Sequence, residues 1–523
     1  MATEHDVVIV GAGPVGLVLA LLLSRQGIDV GVFEKWHQPY GLPRAVGLSH
    51  DSMRVLQATG VLRDLTQHID LHYKNTSGEY FTADGEVLVR FDFPGVDQSG
   101  FPSMMPFDQP GFEEAILAAA DANPHITIHR GWAATAMRQT PDRAYVTFTP
   151  ADGEQPAEGE PLEVGARFVV GCDGGNSTIR RLIDAPMTDT GFTSVWMVVD
   201  IKPDAALEES LPFGQSLDHR RPTTIVPAGP GRRRFEFIAL PGETPEELGK
   251  PERVWALLAP WGVTPANAEL VRSSVYRFFA RWATDWRNGR ILLCGDAAHQ
   301  TPPFLGQGFN SGMRDAAALA WRLALVIKGQ ASPKLLDSYT SERVPHVATV
   351  IQQAVGIGQM ICITEEEQAR ARDAQLRVLR DNPPEEPFLA PWLLGPGLGR
   401  VGDPAARQLA VQARVTLDGK TGLLDDILGS SRFTILSRGG DPLSTMSDDA
   451  LAAWQSLGGL VVRLGDELSD TDGAYTRWFD ELGADLVLVR PDFYVFGAGA
   501  MDEAGAMVSE LAEQIGLTAA VNS

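Results

Sequence analysis

Residues 6–34 read DVVIVGAGPVGLVLALLLSRQGIDVGVFE. A β-branched apolar run, a glycine turn, a leucine-rich stretch and a second β-branched run predict strand, turn, helix and strand, a βαβ unit. Gly11, Gly13 and Gly16 leave room for a tight turn and for a phosphate group to approach the helix, which opens at Pro14 and Val15. Unpaired N–H groups and the positive dipole end favour an anion at that point. Glu34, closing the second strand, can accept a hydrogen bond from an adenosine ribose hydroxyl. A glycine turn without a ligand would need no acid there. The unit reads as a dinucleotide site, with FAD and NAD(P) both open.

The 523 residues exceed one ordinary core and predict two or three domains. A net charge of −23 with no long basic run disfavours a nucleic-acid partner. Cys172, Cys294 and Cys362 lie far apart and form no CxxC, which predicts buried free thiols in a reducing, cytoplasmic setting. The N-terminal apolar run is broken by glycines and carries acidic flanks, unlike an export signal, and no run of about 18 apolar residues predicts a membrane span.

Two further motifs carry chemistry. CDGGNSTIR, residues 172–180, follows the strand-like RFVVG. Its Asp173, Ser177 and Arg180 suit either a ligand-facing turn or an Asp-Gly turn whose serine caps a helix. ILLCGDAAHQTPPFLGQGFNSGMRDAAALAWRL, residues 291–323, is more specific. A strand delivers Gly295 and Asp296, a proline pair ending in Pro303 stiffens the loop, and Gly306-Gln307-Gly308 opens a helix near Phe309 and Asn310. Such a helix aims its dipole at a group that gains negative charge, which suits the N1–C2=O edge of a reduced flavin. Asp296 is placed to hold a ribityl hydroxyl, and His299 reads as a packed histidine of the loop. No HExxH, Cys/His set or GxSxG elbow offers a rival mechanism.

At these residues the chain resembles the class A flavoprotein aromatic hydroxylases, the group that includes para-hydroxybenzoate hydroxylase. The likeness spans about residues 5–350, and VYRFFARWATDWRNGRILLCGDAAH looks like the hydroxyphenylpropionate and phenol hydroxylase branch. It implies FAD contacts at Arg44 in PRAVGLS, at Gln109 in FDQPGFEE, and at Lys35 beside Glu34. It further implies that NADH or NADPH reduces the flavin, that O2 forms a C4a-hydroperoxide, and that the distal oxygen attacks a phenol-like ring. Pro303 would present a backbone carbonyl between flavin and substrate. DDILGSSRFTILS and ADLVLVRPDFYVF resemble the thioredoxin-like appendage of that branch, here without cysteine and so without dithiol exchange.

The implied fold class is α/β: a Rossmann-like FAD-binding domain, an inserted mostly antiparallel substrate sheet and a thioredoxin-like C-terminal domain. The expected boundaries are 1–185 and 281–381 for the FAD domain, 186–280 for the substrate sheet, 382–399 for a linker and 400–523 for the appendage. In RRRFEFIAL, alternation places Phe235 and Phe237 on one face and Arg234 and Glu236 on the other, where they line a pocket or meet solvent. Arg234 loosely matches a family arginine near the flavin. His219 is a candidate phenol base. The expected partner is a small phenol-like aromatic, without nucleic acid or membrane, in a possible homodimer. Rival readings are an FAD-dependent reductase or epoxidase acting on a non-aromatic substrate, and a non-catalytic flavin-binding accessory protein.

Overall fold

The computed structural model describes residues 3–39, 41, 44–73, 77–93, 95–384, 389, 391–465 and 468–518. Its first sheet holds five parallel strands in the order Ile291–Leu293, Leu162–Gly171, Thr3–Val10, Val30–Glu34 and Ile126–Arg130. The near-continuous apolar runs of the inner strands follow from burial on both faces. The helix Pro14–Ser24 is apolar almost all round because it packs between this sheet and the helices Gln109–Asp121 and Gln307–Ile327. An antiparallel hairpin, Trp132–Gln139 with Ala144–Asp152, extends the sheet.

A second sheet has eight strands in the order His299–Gln300, Ala268–Ala283, Met187–Pro203, Arg233–Ile238, Thr223–Pro227, Gly214–Ser216, Ser77–Phe81 and Val87–Asp92. The substrate sheet expected within 186–280 therefore recruits an earlier hairpin. Ser77–Phe81 pairs in parallel with Gly214–Ser216 and covers what would otherwise be an open edge. One face of the sheet buries Met197, Val199, Ile201, Phe235 and Phe237 against the helix Pro251–Leu258.

Beyond residue 400, four strands run in the order Leu460–Leu464, Thr434–Arg438, Leu486–Val489 and Val495–Gly499. The first pair is parallel and the others antiparallel. Of the expected linker, residues 385–388 and 390 lie outside the described residues. Its end is packed: Leu394 and Leu398 are buried, and the Gly395 N–H donates to the Glu342 carbonyl at 2.9 Å.

The C-terminal part docks through a buried charge cluster. Arg490 donates to Glu342 at 2.9 and 2.7 Å and to Asp492 at 3.0 and 2.6 Å, while Arg322 reaches the same two acids at 2.5 and 3.3 Å. All four side chains are essentially inaccessible. Cys294 is buried as expected, whereas Cys172 and Cys362 are half-buried; all three are free. Among the described residues no single helix is long and apolar enough to cross a membrane.

Candidate functional site

The three motifs converge at the C-terminal ends of the parallel strands, where open α/β sheets bind ligands. Gly11 has φ +108°, and a Cβ there would sit 2.4 Å from the Cys172 carbonyl oxygen, so the first and second motifs touch through bare backbone. The Val15 side chain packs on Gly295 and Gly312, joining the first motif to the third. The helix Pro14–Ser24 opens at Gly13 with no side-chain cap, and a Cβ on Gly13 would meet nothing within 4 Å. This open, donor-rich edge fits a pyrophosphate. Glu34 accepts from the Ala12 N–H at 2.8 Å and from the Trp36 N–H at 3.0 Å, which fixes its carboxylate beside the turn with lone pairs to spare for a ribose hydroxyl.

Several of the residues expected at the cofactor also brace the protein. Asp173 accepts from the N–H groups of Thr178 and Ile179 at 2.6 and 3.1 Å and from Ser177 Oγ at 2.5 Å. Its carboxylate thus braces the helix start, while Ser177 Oγ accepts from the Arg180 N–H at 2.9 Å as the helix cap. Burial holds the Asp173 pKa above the usual range despite these donors. Arg180 then ties the turn to the third motif, donating to the Ala297 carbonyl at 2.8 Å. Lys35 pairs with Glu154 of the neighbouring hairpin. Gln109, buried, accepts from the N–H groups of Arg44 and Ala45 at 2.7 and 2.6 Å and so shapes the segment that carries Arg44. Asn310 accepts from the Ser49 N–H at 3.1 Å and donates to the Gly306 carbonyl at 2.9 Å, a stitch between two loops.

Two features remain turned outward. Asp296 is exposed and accepts no hydrogen bond among the described residues. The helix Gln307–Ile327 begins at Gly306, φ +63°, without a side-chain cap, so the amides of Gln307, Gly308 and Phe309 have no partner within the helix. Behind them Asp315 accepts from the Gly295 N–H at 3.1 Å, pairs with His299 Nε2 at 2.7 Å and accepts from Arg343 Nε at 2.8 Å. Burial would raise the Asp315 pKa, yet Arg343 and His299 together hold it below the usual carboxylate range. His299 is fully buried and stacked on Trp286 at 5.4 Å, the packed histidine that was expected. Asp315 and Arg343 were not singled out from sequence. The Asp315 position is visible in the third motif, but its partner lies on another helix.

These placements separate two aspartates by experiment. Asp296→Ala is expected to weaken FAD retention while leaving the thermal midpoint of the apoprotein near wild type. Asp173→Ala is expected to lower that midpoint by loss of a cap, about 1 kcal/mol. Flavin release and melting of both variants check this; equal flavin loss would show that the two turns are misassigned.

Across from the third motif stands the second sheet's other face. Arg234 and Glu236 are 2% and 8% exposed, so the solvent alternative for this charged face is wrong. At one end of the face Arg234 is held by protein: it donates to Asp200 at 2.7 and 3.1 Å and to the Arg44 carbonyl at 2.6 Å. Arg272 donates to the same Asp200 at 2.8 Å and to Tyr276 Oη at 2.8 Å. Asp200 and Arg272 are functional candidates that sequence reasoning missed, because only strand register places them beside Arg234. One row further along the same face, Trp196 packs on Phe304 at 5.9 Å, next to half-buried Pro303. The face thus spans from the Arg44 segment to the Pro303 loop. His219 lies elsewhere: it is half-buried, 4.0 Å from Asp218, and faces Glu366 at the start of the helix Glu366–Asp381. Nothing among the described residues links it to the two loops.

An FAD binding domain family matches residues 4–354, and an HcaD C-terminal domain family matches residues 408–514. The chain is 35% identical to a probable NADH-specific resorcinol 4-hydroxylase of Rhodococcus jostii (strain RHA1), over 94% of this chain and 91% of that protein. It is 32% identical to a 3-(3-hydroxy-phenyl)propionate/3-hydroxycinnamic acid hydroxylase of Escherichia coli, over 99% of this chain and 96% of that one. The crystal structure of aklavinone-11 hydroxylase with FAD and aklavinone superposes with a TM-score of 0.78 at 25% identity, covering 99% and 100% of the two chains.

Proposed function

The chain belongs to the FAD-dependent aromatic hydroxylases, and we propose that it adds one hydroxyl group to a compact phenol with NADH as reductant. The observation that carries this reading is the meeting of three nucleotide motifs at one sheet end, opposite a buried polar face on a second sheet. FAD supplies, when bound, the redox chemistry that takes electrons from a reduced nicotinamide and activates O2 to oxygenate an electron-rich ring.

The chain's own groups bind, orient and exclude water. The amide edge at Gly13, Val15 and Gly16 would hold the pyrophosphate, Glu34 the adenosine ribose and Asp296 the ribityl chain. The uncapped amides of Gln307, Gly308 and Phe309 would favour negative charge on the flavin's N1–C2=O edge. Pro303 would set the ring against the substrate, and Trp196, Phe278, Phe304 and Leu305 would wall it from water. The domain after residue 400 fits a thioredoxin-like core: a parallel β-helix-β pair, two further antiparallel strands and the closing helix Ala504–Ile515. Without cysteine its role is structural.

Purified protein with NADH or NADPH, O2 and resorcinol, phenol or 3-(3-hydroxyphenyl)propionate tests the proposal. The expected result is noncovalent FAD, NADH oxidation stimulated by a phenol, and a product with one additional hydroxyl. Flavin-loaded protein that oxygenates no phenol would sink the reading, and a preference for NADPH would overturn the assignment of the reductant.

A further inference from the structure

Glu236 stands in a wall of the second sheet with no hydrogen-bond partner among the described residues. It is 8% exposed, and its single ion pair, to Arg234 Nη1, is long at 3.8 Å. A carboxyl this deep without a hydrogen-bond partner is costly, and its side chain keeps 11% of its surface open, so a ligand can reach and complete it.

Position supports this. On the same strand face, Arg234 reaches the Arg44 carbonyl, and Ile238, two residues beyond Glu236, shares an apolar cluster with Phe304 and Leu305. Glu236 therefore stands between the contacts to the Arg44 segment and those to the loop that carries Pro303. Its cross-strand neighbours are Thr224 and Val198. The Thr224 hydroxyl is engaged with Gln215 at 2.5 Å and leaves Glu236 unserved.

Resting on the proposed phenol hydroxylation, we propose that Glu236 is the catalytic base that takes the substrate's phenolic proton. The phenol O–H bond breaks and a new O–H bond forms on a Glu236 oxygen. The electron pair stays on the phenol oxygen, which makes the ortho and para carbons better nucleophiles. Charge is balanced throughout. Before transfer Arg234 and Arg272 face Asp200 and ionised Glu236; afterwards the phenolate takes the place of the glutamate charge. The charged groups facing Glu236 are Arg234 on its own strand and Asp200 and Arg272 on the next two strands, while Tyr80 lies three strands away in the same row. Burial raises the Glu236 pKa, and Asp200 adds to this while Arg234 and Arg272 oppose it. A raised pKa brings the acid closer to that of a phenol, about 10. Tyr80 is pushed up to about 12 by burial and stays protonated, so it does not compete for the role.

The substrate class follows: a phenol whose reacting hydroxyl enters neutral. The test uses flavin-loaded wild type, E236Q and E236D with a series of phenols of falling pKa. Wild-type kcat/KM should fall as pH drops through the raised glutamate pKa. E236Q should lose about 100-fold at neutral pH. It should also lose that acidic limb and recover with nitro- or fluorophenols that ionise unaided, while E236D should keep the limb. If wild type hydroxylates phenols but E236Q retains its rate and pH profile, Glu236 is not the base. If E236Q does not hold FAD, an E236D profile without the acidic limb would equally overturn the proposal. A wild type inert towards every phenol would instead refute the functional reading beneath it.

Discussion

Arg490→Met is expected to destabilise the enzyme by about 3–5 kcal/mol, the scale for stranding one partner of a buried ion pair. Arg490 and Arg322 balance Glu342 and Asp492 in a cluster that water does not reach. Removing Arg490 leaves two carboxylates against one guanidinium and deprives the Leu398 carbonyl of a donor 2.8 Å away. Asp492 keeps Trp321 Nε1 at 3.0 Å and Arg322, which do not replace four charge-assisted bonds. Thermal melting of flavin-loaded protein reads the loss. The double variant Arg490→Met, Glu342→Gln restores charge balance and should recover part of it. An Arg490→Met midpoint equal to wild type would show that the cluster contributes nothing to docking. The same cluster bears on removal of residues after Pro396: Arg322 and Glu342 would be left without Arg490 and Asp492, so a truncated chain should lose stability even where its flavin motifs are intact.

What was legible in the sequence divides along chain distance. The Rossmann-like unit could be read because its strand, turn and helix are contiguous and each glycine has a local reason. The helix start at Gly306 was legible for the same cause. The roles of individual side chains were less so. Asp173, Gln109 and Asn310 all sit in motifs that touch the site, and each also holds another segment in place. A motif marks where a loop must be shaped, and does not by itself distinguish the residue that shapes it from the residue that meets a ligand. Strand alternation correctly separated Arg234 and Glu236 from Phe235 and Phe237, but not which face was dry. That depends on Asp200 and Arg272, which lie 34 residues before and 38 residues after Arg234 and come into line only through strand register. The hairpin at residues 77–92 was missed because its pairing with Gly214–Ser216 is parallel and distant in sequence.

Asp315→Asn is expected to cost flavin binding more than any change among the outward-facing residues. The carboxylate serves three donors: the Gly295 N–H, His299 and Arg343. An amide is neutral and turns one acceptor into a donor, so at least one of these partners is left facing it unpaired. Arg343 is fully buried with Asp315 as its ion-pair partner, which places the penalty again at about 3–5 kcal/mol. The damage should concentrate at Gly295 and Asp296, because Gly295 is the point at which the network grips the loop proposed to hold the ribityl chain. The expected result is protein purified largely without flavin, with weakened FAD affinity in titration and a lowered melting midpoint that added FAD only partly restores. Arg490→Met supplies the contrast. Glu342 and Arg343 are consecutive on the helix Asp337–Ile361, so each variant injures a network anchored on the same helix, but only one network reaches Gly295. At matched loss of stability, Arg490→Met should retain FAD affinity close to wild type and Asp315→Asn should not. If both variants lost flavin in proportion to their melting midpoints, Asp315 would be acting through global stability alone, and the grip on Gly295 would have no separate part in holding the cofactor.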